Sequence, residues 1–473
     1  MSLIAPDYCS VDVRVSQPKQ NLPSPVLILS SPRQWLTSFG MFRTLYCQSS
    51  RTWILSILQN AVTVGCIEIE EDGKVAAFGQ PGDEPGTVRI TVVDDSFWTR
   101  VLLSGNLGFS EAFMMGEVKV DDLQAVIELF IDNLSGLSNI SWLYNKTIAA
   151  ASGLWNAFAG QTHSRARLNV VASYDLSNEM YKAFLSKEMM YSCALWSEEE
   201  GGVRGDLVSG PTPGDLEAAQ RRKNEHVLRQ LRLRPGHRLL EFGTGWGALA
   251  IEAARTYGCA VDTLTLSVEQ KTLAEERIRE AGLEDRVCVH LLDYRDLPPH
   301  FEHAFDAFVS LEMVEHVGPK YYNTFFRLID FALKKRGATA VVSSSTFPEH
   351  RYSEYQAEDF MRRYIWPNSA LPSASALVDA AYKATRGQLK LHTVENHSAH
   401  YPRTLRTWGR RFKSNVRQDA VAATHPALHD PVEFAVFARK WEYLFAYAGA
   451  GFVKGYISCH MLIFTREGDA PNS

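Results

Sequence analysis

The sequence predicts an α/β protein in which a doubly wound sheet follows a smaller α+β domain. From residue 237 to about residue 343, short apolar runs alternate with segments that have the period of amphipathic helices, as in parallel sheets covered by helices. Before residue 135 the pattern is different: a hairpin signal precedes two apolar helices. At 473 residues the chain is long enough for two or three domains.

A glycine-rich turn separates the first strand of the predicted sheet from its helix. The strand ends at Phe242, and Gly243, Gly245 and Gly247 follow. Glycines let the backbone approach a ligand closely, and the following helix begins with unpaired N–H groups. Read as G-x-G-x-G, the turn suits S-adenosylmethionine (SAM); read as G-x-G-x-x-A, with Asp262 further on, it suits a dinucleotide. A tight turn that binds no ligand is the third interpretation.

The elements that follow alternate between helix and strand, and their order indicates where ligand-binding residues lie. In a doubly wound sheet, ligands bind at the carboxyl ends of the strands. This places three loops around one crevice: Thr265 to Ser267, Asp293 to Arg295 and Glu312 to His316. Residues 345–400 depart from the alternation, and their aromatic, charged and Pro-punctuated sequence predicts a cap inserted over the site.

The pattern divides the chain into four parts. We expect a poorly ordered lead-in over residues 1–35, a small α+β domain over 36–135, a linker helix over 136–170 and the larger domain over 171–473. Within the small domain we expect a strand over residues 62–70, a hairpin turn at EEDGK and two apolar helices around Gly116. Its aromatic and Met content predicts either a lipid groove or an ordinary core. Asp215 is the expected N-cap of a helix that leads to the glycine turn.

Composition excludes several classes of protein. A net charge of −5 predicts no attraction to nucleic acid. The seven cysteines lack C-x-x-C spacing, so we expect no metal site and no disulfide framework. The first residues lack the pattern of a signal peptide, and no window approaches about 18 consecutive apolar residues. We therefore expect a cytoplasmic protein that is at most peripheral to a membrane.

A series of motifs gives the chain a resemblance to the cyclopropane fatty acid synthase family, and to its eukaryotic branch in particular. They extend over roughly residues 50–465 and include LGFSEAFMMGEVKVDDL, MMYSCALW, LEAAQRRK, LLEFGTGWGALAIEAA, TLTLSVEQ, DYRDL, EMVEHVG, RYIWPNSALPS and HYPRTLRTW. The resemblance favours SAM, because the dinucleotide interpretation explains only the glycine turn. It implies a Rossmann-like SAM-dependent methyltransferase with a smaller lipid-binding domain. Such an enzyme moves the methyl group of SAM onto the double bond of an unsaturated acyl chain, usually in a phospholipid, and closes a cyclopropane ring.

The resemblance also implies roles for individual residues. SAM would be bound by Gly243, Gly245, Gly247, Thr265, Leu266, Ser267 and Gln270, with Tyr191 and Ser192 closing over it and Asp293 and Tyr294 near the adenine. A bicarbonate ion, the base of this family, would be held by Cys193, Glu315 and Tyr401. Without the resemblance these three would be interpreted as a buried cysteine, a surface glutamate and a core tyrosine. The family further implies peripheral contact with a membrane and a homodimer.

The chain departs from the family pattern in three places. Bacterial members carry His-x-Ile at the end of the strand after EHVG, where this chain has Ser343 to Ser345. Ser173 stands in place of a His, and Thr244 in place of a Cys. A pocket changed in this way predicts a methyl-branched or methylene product as the alternative to a ring. Two further alternatives are an enzyme that methylates a small molecule, as plant alkaloid N-methyltransferases do, and a catalytically silent lipid-binding protein.

Overall fold

The computed structural model describes residues 47–82, 86–137 and 177–467 in full, and residues 32–46 by their backbone. Most of the predicted lead-in, most of the predicted linker helix and Ser173 lie outside the described residues. The described residues from Cys47 onward group into one compact unit, and the sheets, the cavity and the clusters below all belong to it.

A four-stranded sheet comes first in this unit. Its strands are β1 Cys66–Glu71, β2 Lys74–Gly79, β3 Thr87–Val92 and β4 Val118–Val120, in the order β2-β1-β3-β4. The hairpin predicted at EEDGK is confirmed: Asp72 and Gly73, both with positive φ, join β1 to β2. Strand β1 begins later than predicted, because the N–H groups of Thr63 and Val64 donate to the side chain of Asn133 instead of a neighbouring strand.

The helices in this part of the chain are α1 Pro32–Ala61, α2 Ser96–Met115 and α3 Leu123–Asp132. Only the residues of α1 from Cys47 onward belong to the same unit as the small sheet. Helix α2 is broken at Gly105, with φ 54° and ψ −126°, and ends at Gly116 in the left-handed conformation. Asp122 caps α3 by accepting a hydrogen bond from the N–H of Ala125. The predicted pair of apolar helices around Gly116 is therefore confirmed.

The larger sheet has seven strands in the order β10-β11-β9-β8-β5-β6-β7. They are β5 Arg238–Phe242, β6 Ala260–Thr265, β7 Val287–Leu291, β8 Ala307–Leu311, β9 Thr339–Thr346, β10 Lys390–Asn396 and β11 Ser458–Thr465. Strands β5 to β9 run parallel, and β11 is antiparallel to both of its neighbours. The order reverses between β5 and β8, as in other doubly wound folds, so the predicted α/β class is confirmed.

Ten helices of the described chain accompany this sheet: α4 Asn178–Phe184, α5 Gly205–Val208, α6 Asp215–Gln230, α7 Ala248–Tyr257, α8 Val268–Glu280, α9 Tyr322–Ala332, α10 Ala374–Thr385, α11 Tyr401–Asn415, α12 Gln418–Ala422 and α13 Pro431–Val453. The predicted capping role of Asp215 is wrong. Gly214 takes the N-cap position of α6 with φ 91°, and the carboxylate of Asp215 accepts a hydrogen bond from Arg403 at 2.8 Å.

Helix α13 joins the two sheets. The ring of its Tyr443 lies 6.4 Å from Phe109 and 5.9 Å from Phe113 of α2, between centroids. Directly after α13, Lys454 pairs with Asp132 of α3 at 2.6 Å. Buried apolar residues of the small sheet, its helices and α13 form one continuous core. The change of sequence pattern near residue 135 therefore does not correspond to a break in the core.

The segment over residues 345–400 contains two different structures. Helix α10 packs against α9, and β10 pairs with β11, so both belong to the large sheet. The part between β9 and α10 is irregular and includes one π-helical turn, Met361–Ile365. The irregular part lines the cavity with Phe347, Trp366 and Leu371, as does Ser345 of β9, whereas α10 and β10 do not line it.

Candidate active site

The glycine turn has an open side that faces a cavity. Gly243, Gly245 and Gly247 have φ values of 94°, 51° and 82°, a region that disfavours side chains. Nothing lies within 4 Å of the position that a Cβ of Gly245 would take. Gly247 instead faces the protein, since its Cβ would lie 3.2 Å from the Cβ of Ala274. Gly243 and Gly245 therefore line the cavity, and Gly247 allows α7 to pack closely.

The loop after β6 is held by its own polar side chains. The hydroxyl of Thr265 donates to Oε1 of Gln270 at 2.8 Å. The hydroxyl of Ser267 caps α8 by accepting the N–H of Gln270 at 3.1 Å, so Ser267 shapes the loop and does not line the cavity. Thr265, Leu266 and Gln270 do line it, and Leu266 is 73% exposed. An exposed leucine at this place offers an apolar surface to a bound ring.

The two site residues predicted in the loop after β7, Asp293 and Tyr294, have different positions relative to the cavity. Tyr294 lines the cavity, with its ring 5.6 Å from that of Phe242. Asp293 does not line the cavity, because its carboxylate accepts hydrogen bonds from Arg295. These bonds lower the pKa of Asp293. Asp293 thus stabilises the loop that presents Tyr294.

Residues 191–193 lie against helix α6. Tyr191 and Ser192 line the cavity. Nε2 of Gln220 donates to the carbonyl of Ser192 at 2.8 Å, and Nζ of Lys223 donates to its hydroxyl at 3.0 Å. Burial lowers the pKa of Lys223 to about 8, although the carboxylate of Glu312 acts in the opposite direction. Helix α6 therefore positions this loop through two buried polar side chains.

Glu312 lies at the centre of a buried hydrogen-bond network. Its Oε1 accepts the N–H of Cys193 at 2.8 Å, and its Oε2 accepts the hydroxyl of Tyr401. Its φ of 52° is unusual for a glutamate and marks a strained position. Burial raises its pKa, while the two donors and the charge of Lys223 oppose that rise. Three groups thus stabilise the carboxylate form of Glu312.

Glu315 has fewer partners than Glu312. Its Oε1 accepts the N–H of Ser345 at 2.6 Å, and its Oε2 is buried without a hydrogen-bond partner among the described residues. Burial raises the pKa of Glu315 to about 8, and the nearby Glu312 adds to the rise. Both glutamates line the cavity. At neutral pH the neighbouring carboxyl groups therefore differ: Glu315 is mostly protonated, and Glu312 is the better stabilised anion.

Cys193 lies beside the main cavity. With Lys223, Glu312 and Cys459 it lines a separate void of about 10 Å³, which has room for roughly one water molecule. Its Sγ is 3.8 Å from the carbonyl oxygen of His397. Burial raises the pKa of the Cys193 thiol, which keeps it neutral.

Tyr401 lines the main cavity. Its ring stacks on Phe452 with centroids 4.3 Å apart, and its hydroxyl points to Glu312 instead of Glu315. The structure thus brings Cys193, Glu315 and Tyr401 together, and the residue that links the first and third is Glu312. Glu312 falls in the crevice that the sequence predicts, but no sequence motif predicts a role for it.

Lys223 is a second member of this network that is not among the predicted site residues. A signal for it is present, because Lys223 stands at helical spacing from Ala219 and Val227 and so falls on the buried face of α6. A signal for Glu312 is the pair of acidic residues, three positions apart, directly after the buried strand β8. Buried charges that point toward a crevice are candidate functional groups.

One cavity of about 570 Å³ connects these loops with the small sheet's helices. The glycine turn, the loop after β6 and the two glutamates line one end. The other end is apolar, and its walls come from α2, α3 and α13, with Phe109, Ile127, Phe130, Ile131, Tyr443 and Phe445. A cavity with one polar and one apolar end suits a ligand that carries a long apolar part.

Comparison with known proteins agrees with this geometry. The family described as mycolic acid cyclopropane synthetase matches residues 161–462. The chain belongs to this family. It is 34% identical over 379 residues to the tuberculostearic acid methyltransferase UfaA1 of Mycobacterium tuberculosis, a match that covers 79% of this chain and 82% of the relative. It is 32% identical over 334 residues to the cyclopropane-fatty-acyl-phospholipid synthase of Escherichia coli K12, covering 70% and 78%.

A solved member of the cyclopropane synthetase family has a similar structure. The mycolic acid cyclopropane synthase CmaA1, in complex with SAH and CTAB, superposes with a TM-score of 0.50 and 25% identity, over 65% of this chain and 100% of CmaA1. Membership of the family makes the protein a SAM-dependent methyltransferase. Its residues fit that cofactor, since the space beside Gly245 is open and the exposed Leu266 faces the same cavity. Within the described ranges, the helices are too short or too polar to cross a membrane.

Proposed function

We propose that the protein transfers the methyl group of SAM to a double bond in the unsaturated acyl chain of a lipid. The observation that carries this proposal is the continuity of the cavity, which has the glycine turn at one end and the apolar walls of α2, α3 and α13 at the other. The two relatives support an acyl substrate by their names, a tuberculostearic acid methyltransferase and a cyclopropane-fatty-acyl-phospholipid synthase.

Different parts of the cavity have different roles in the proposed reaction. Bound SAM would supply an electrophilic methyl group at the glycine turn. Methyl addition to the double bond leaves a carbocation on the acyl chain, and the apolar walls exclude the water that would react with it. One proton must then leave the chain. We assign it to Glu312, because Cys193, Tyr401 and Lys223 stabilise this carboxylate, whereas Glu315 is protonated near neutrality.

The surroundings of Glu312 do not fit a bicarbonate ion. Such an ion would need the N–H of Cys193 and the hydroxyl of Tyr401 as donors, and both already donate to Glu312. The void beside Cys193, at about 10 Å³, has room for roughly one water molecule. Our proposal therefore assigns no step to bicarbonate. Removal of dissolved bicarbonate should leave the wild-type rate unchanged, and a rate that depends on bicarbonate would contradict this assignment.

Two products are compatible with this chemistry. If the new methyl group loses a proton directly to the base, a cyclopropane ring closes. If a hydride first shifts to the neighbouring carbon, loss of the same proton leaves a methylene group. Both products contain one CH2 more than the substrate, and a saturated methyl branch would need two further hydrogens from a separate reductant. The ring is the first candidate. The methylene group, a product of methyl transfer without ring closure, is the second, and the similarity to UfaA1, which is named as a methyltransferase, favours it.

Expression in a bacterium that lacks its own cyclopropane synthase tests the proposal. Analysis of the fatty acids should reveal a new acid that contains one additional CH2, and NMR distinguishes the ring from the methylene group. The Glu312→Gln variant should accumulate little of it. Purified protein with SAM and vesicles of unsaturated phospholipid should form S-adenosylhomocysteine, and sedimentation with the vesicles would measure the proposed peripheral membrane contact. Failure to modify any lipid in both settings would overturn the proposal.

A further inference from the structure

A second cluster of polar side chains lies behind the Cys193 loop and outside the main cavity. His226 belongs to α6, Glu395 lies near the end of β10, and His397 follows that strand. The Nε2 atoms of His226 and His397 lie 2.6 Å and 2.9 Å from the same oxygen, Oε2 of Glu395. All three potential ligand atoms lie within 4.8 Å of one another.

We propose that His226, Glu395 and His397 bind a divalent transition metal ion, and that zinc is the ion this site suits best. Two imidazole nitrogens and one carboxylate oxygen are a donor set that zinc uses, with a fourth position left for water. The three side chains are 25%, 21% and 13% exposed, so solvent can reach that position. Neighbouring ligands of tetrahedral zinc are about 3.3 Å apart. The observed contacts of 2.6 Å and 2.9 Å therefore need to open by about 0.7 Å and 0.4 Å.

A hydrogen bond to one oxygen of the Glu395 carboxylate leaves the other oxygen free to bind the metal. Nε2 of Gln230 donates to Oε1 of Glu395 at 3.3 Å, which leaves Oε2 directed at the two imidazoles. Such hydrogen bonds to the second oxygen orient a metal-binding carboxylate. The described chain contains one other group with ligand spacing, Asp262, Cys288 and His290. There Arg238 donates to Oδ2 of Asp262 at 2.8 Å, and its positive charge already compensates the carboxylate, whereas the Gln230 amide beside Glu395 is neutral. The first cluster is therefore the better site.

The metal would connect two elements that hold the active-site loop. His226 lies one helical turn after Lys223, whose ammonium group holds the hydroxyl of Ser192. On the other side, the carbonyl oxygen of His397 accepts a hydrogen bond from the thiol of Cys193 at 3.8 Å. A metal shared by these two elements would fix α6 relative to the end of β10 and so stabilise the loop between them. Its role is positioning, because no ligand touches the cavity.

Metal binding is tested on the full chain after a chelator has removed metal. Equilibrium dialysis against zinc should give about one bound ion per chain, and binding should raise the melting temperature. Cobalt at the same site should give the visible absorption of tetrahedral coordination. The His226→Gln and His397→Gln variants should lose the ion, whereas Gln230→Ala should weaken binding about 10-fold to 100-fold. The matched control is His290→Ala, which removes a ligand of the other cluster and should keep the ion.

The outcomes separate cleanly, because none of these measurements depends on methyl transfer. Equal zinc content in the wild type and in folded His226→Gln protein, checked by circular dichroism, would overturn the proposal. Loss of the ion in His290→Ala alone would assign it to the other cluster. Absence of zinc and cobalt from the wild type after dialysis would leave the three residues as a hydrogen-bonded group only.

Discussion

The hydroxyl of Tyr401, at the start of α11, donates a hydrogen bond to the carboxylate of Glu312, which directly follows β8. Because of this contact, the carboxyl groups of Glu312 and Glu315 differ in their hydrogen-bond partners. Glu312 accepts donors on both oxygens, while Glu315 keeps one oxygen without a partner among the described residues and has a pKa raised to about 8 by burial. Carboxyl groups whose environments separate their pKa values in this way often divide acid and base roles.

The Tyr401→Phe variant tests the contact itself. It keeps the stack on Phe452 but removes one donor to Glu312. A hydrogen bond to a charged group contributes about 1.5–3 kcal/mol, so we expect turnover to fall by about 10-fold or more while SAM affinity is retained. The control is Tyr364→Phe, which removes a hydroxyl bonded to Glu111 at 2.8 Å outside the cavity. Turnover measured on vesicles should fall only in the first variant; equal rates would contradict the role of Glu312.

Substitution of the two glutamates separates their roles. Glu312→Gln should reduce product formation by about 10²-fold to 10⁴-fold, the range typical of a lost general base, with SAM binding retained in calorimetry. Glu315→Gln should have a smaller effect, because an amide resembles the protonated acid that this residue forms near neutral pH. A larger loss of product in Glu315→Gln than in Glu312→Gln would instead identify Glu315 as the group that accepts the proton from the acyl chain.

The pKa of Glu315 also predicts how stability depends on pH. Its folded-state pKa of about 8 is above the ordinary value of 4.5, so the folded protein binds the additional proton between these two values. Its contribution to stability is therefore full below about pH 4.5 and decreases as pH rises to about 8, by at most about 1.4 kcal/mol per pH unit. Urea unfolding at several pH values should show this slope, and Glu315→Gln should reduce it. Identical slopes in the two proteins would refute the raised pKa.

Gly245→Val tests the cofactor site. Its side chain would point into the open space of the cavity from a backbone with φ 51°. We expect calorimetry to show loss of SAM binding. Gly236→Val is the matched control, because Gly236 has φ 82° and also has open space beside it, but it does not line the cavity. Both variants carry similar backbone strain. Loss of SAM binding in both would therefore show that strain, and not a side chain in the cavity, prevents SAM from binding.

Ile131→Trp tests whether the apolar end of the cavity holds the acyl chain. Ile131 of α3 lines that end, and a larger side chain should fill it. We expect a raised KM or lost activity with unsaturated phospholipid, while SAM affinity is unchanged. Leu55→Trp is the control, since Leu55 packs against the same core from α1 without lining the cavity. Unchanged kinetics in Ile131→Trp would place the chain elsewhere.

Local sequence patterns determined the fold class and the place of the cofactor site. Gly243 and Gly245 follow a buried strand, and this signal needs only a few neighbouring residues. The loops that contain Thr265, Tyr294 and Glu315 could be placed together because carboxyl ends of parallel strands meet at one edge of a sheet. Gly247, Ser267 and Asp293 lie in the predicted loops, yet they shape those loops without lining the cavity.

Only the tertiary structure decided which polar groups meet. Tyr401 and Glu312 are 89 positions apart, and His226 and Glu395 are 169 positions apart, so no local period relates them. Their contacts depend on how α11, α6 and β10 are placed by the folded chain, and on a left-handed backbone at Glu312 that turns its side chain toward Cys193. The spacing of apolar residues shows which face of a helix or strand is buried. The partner of a buried charge comes from segments that are distant in the sequence, and these must pack so that its hydrogen bonds are satisfied.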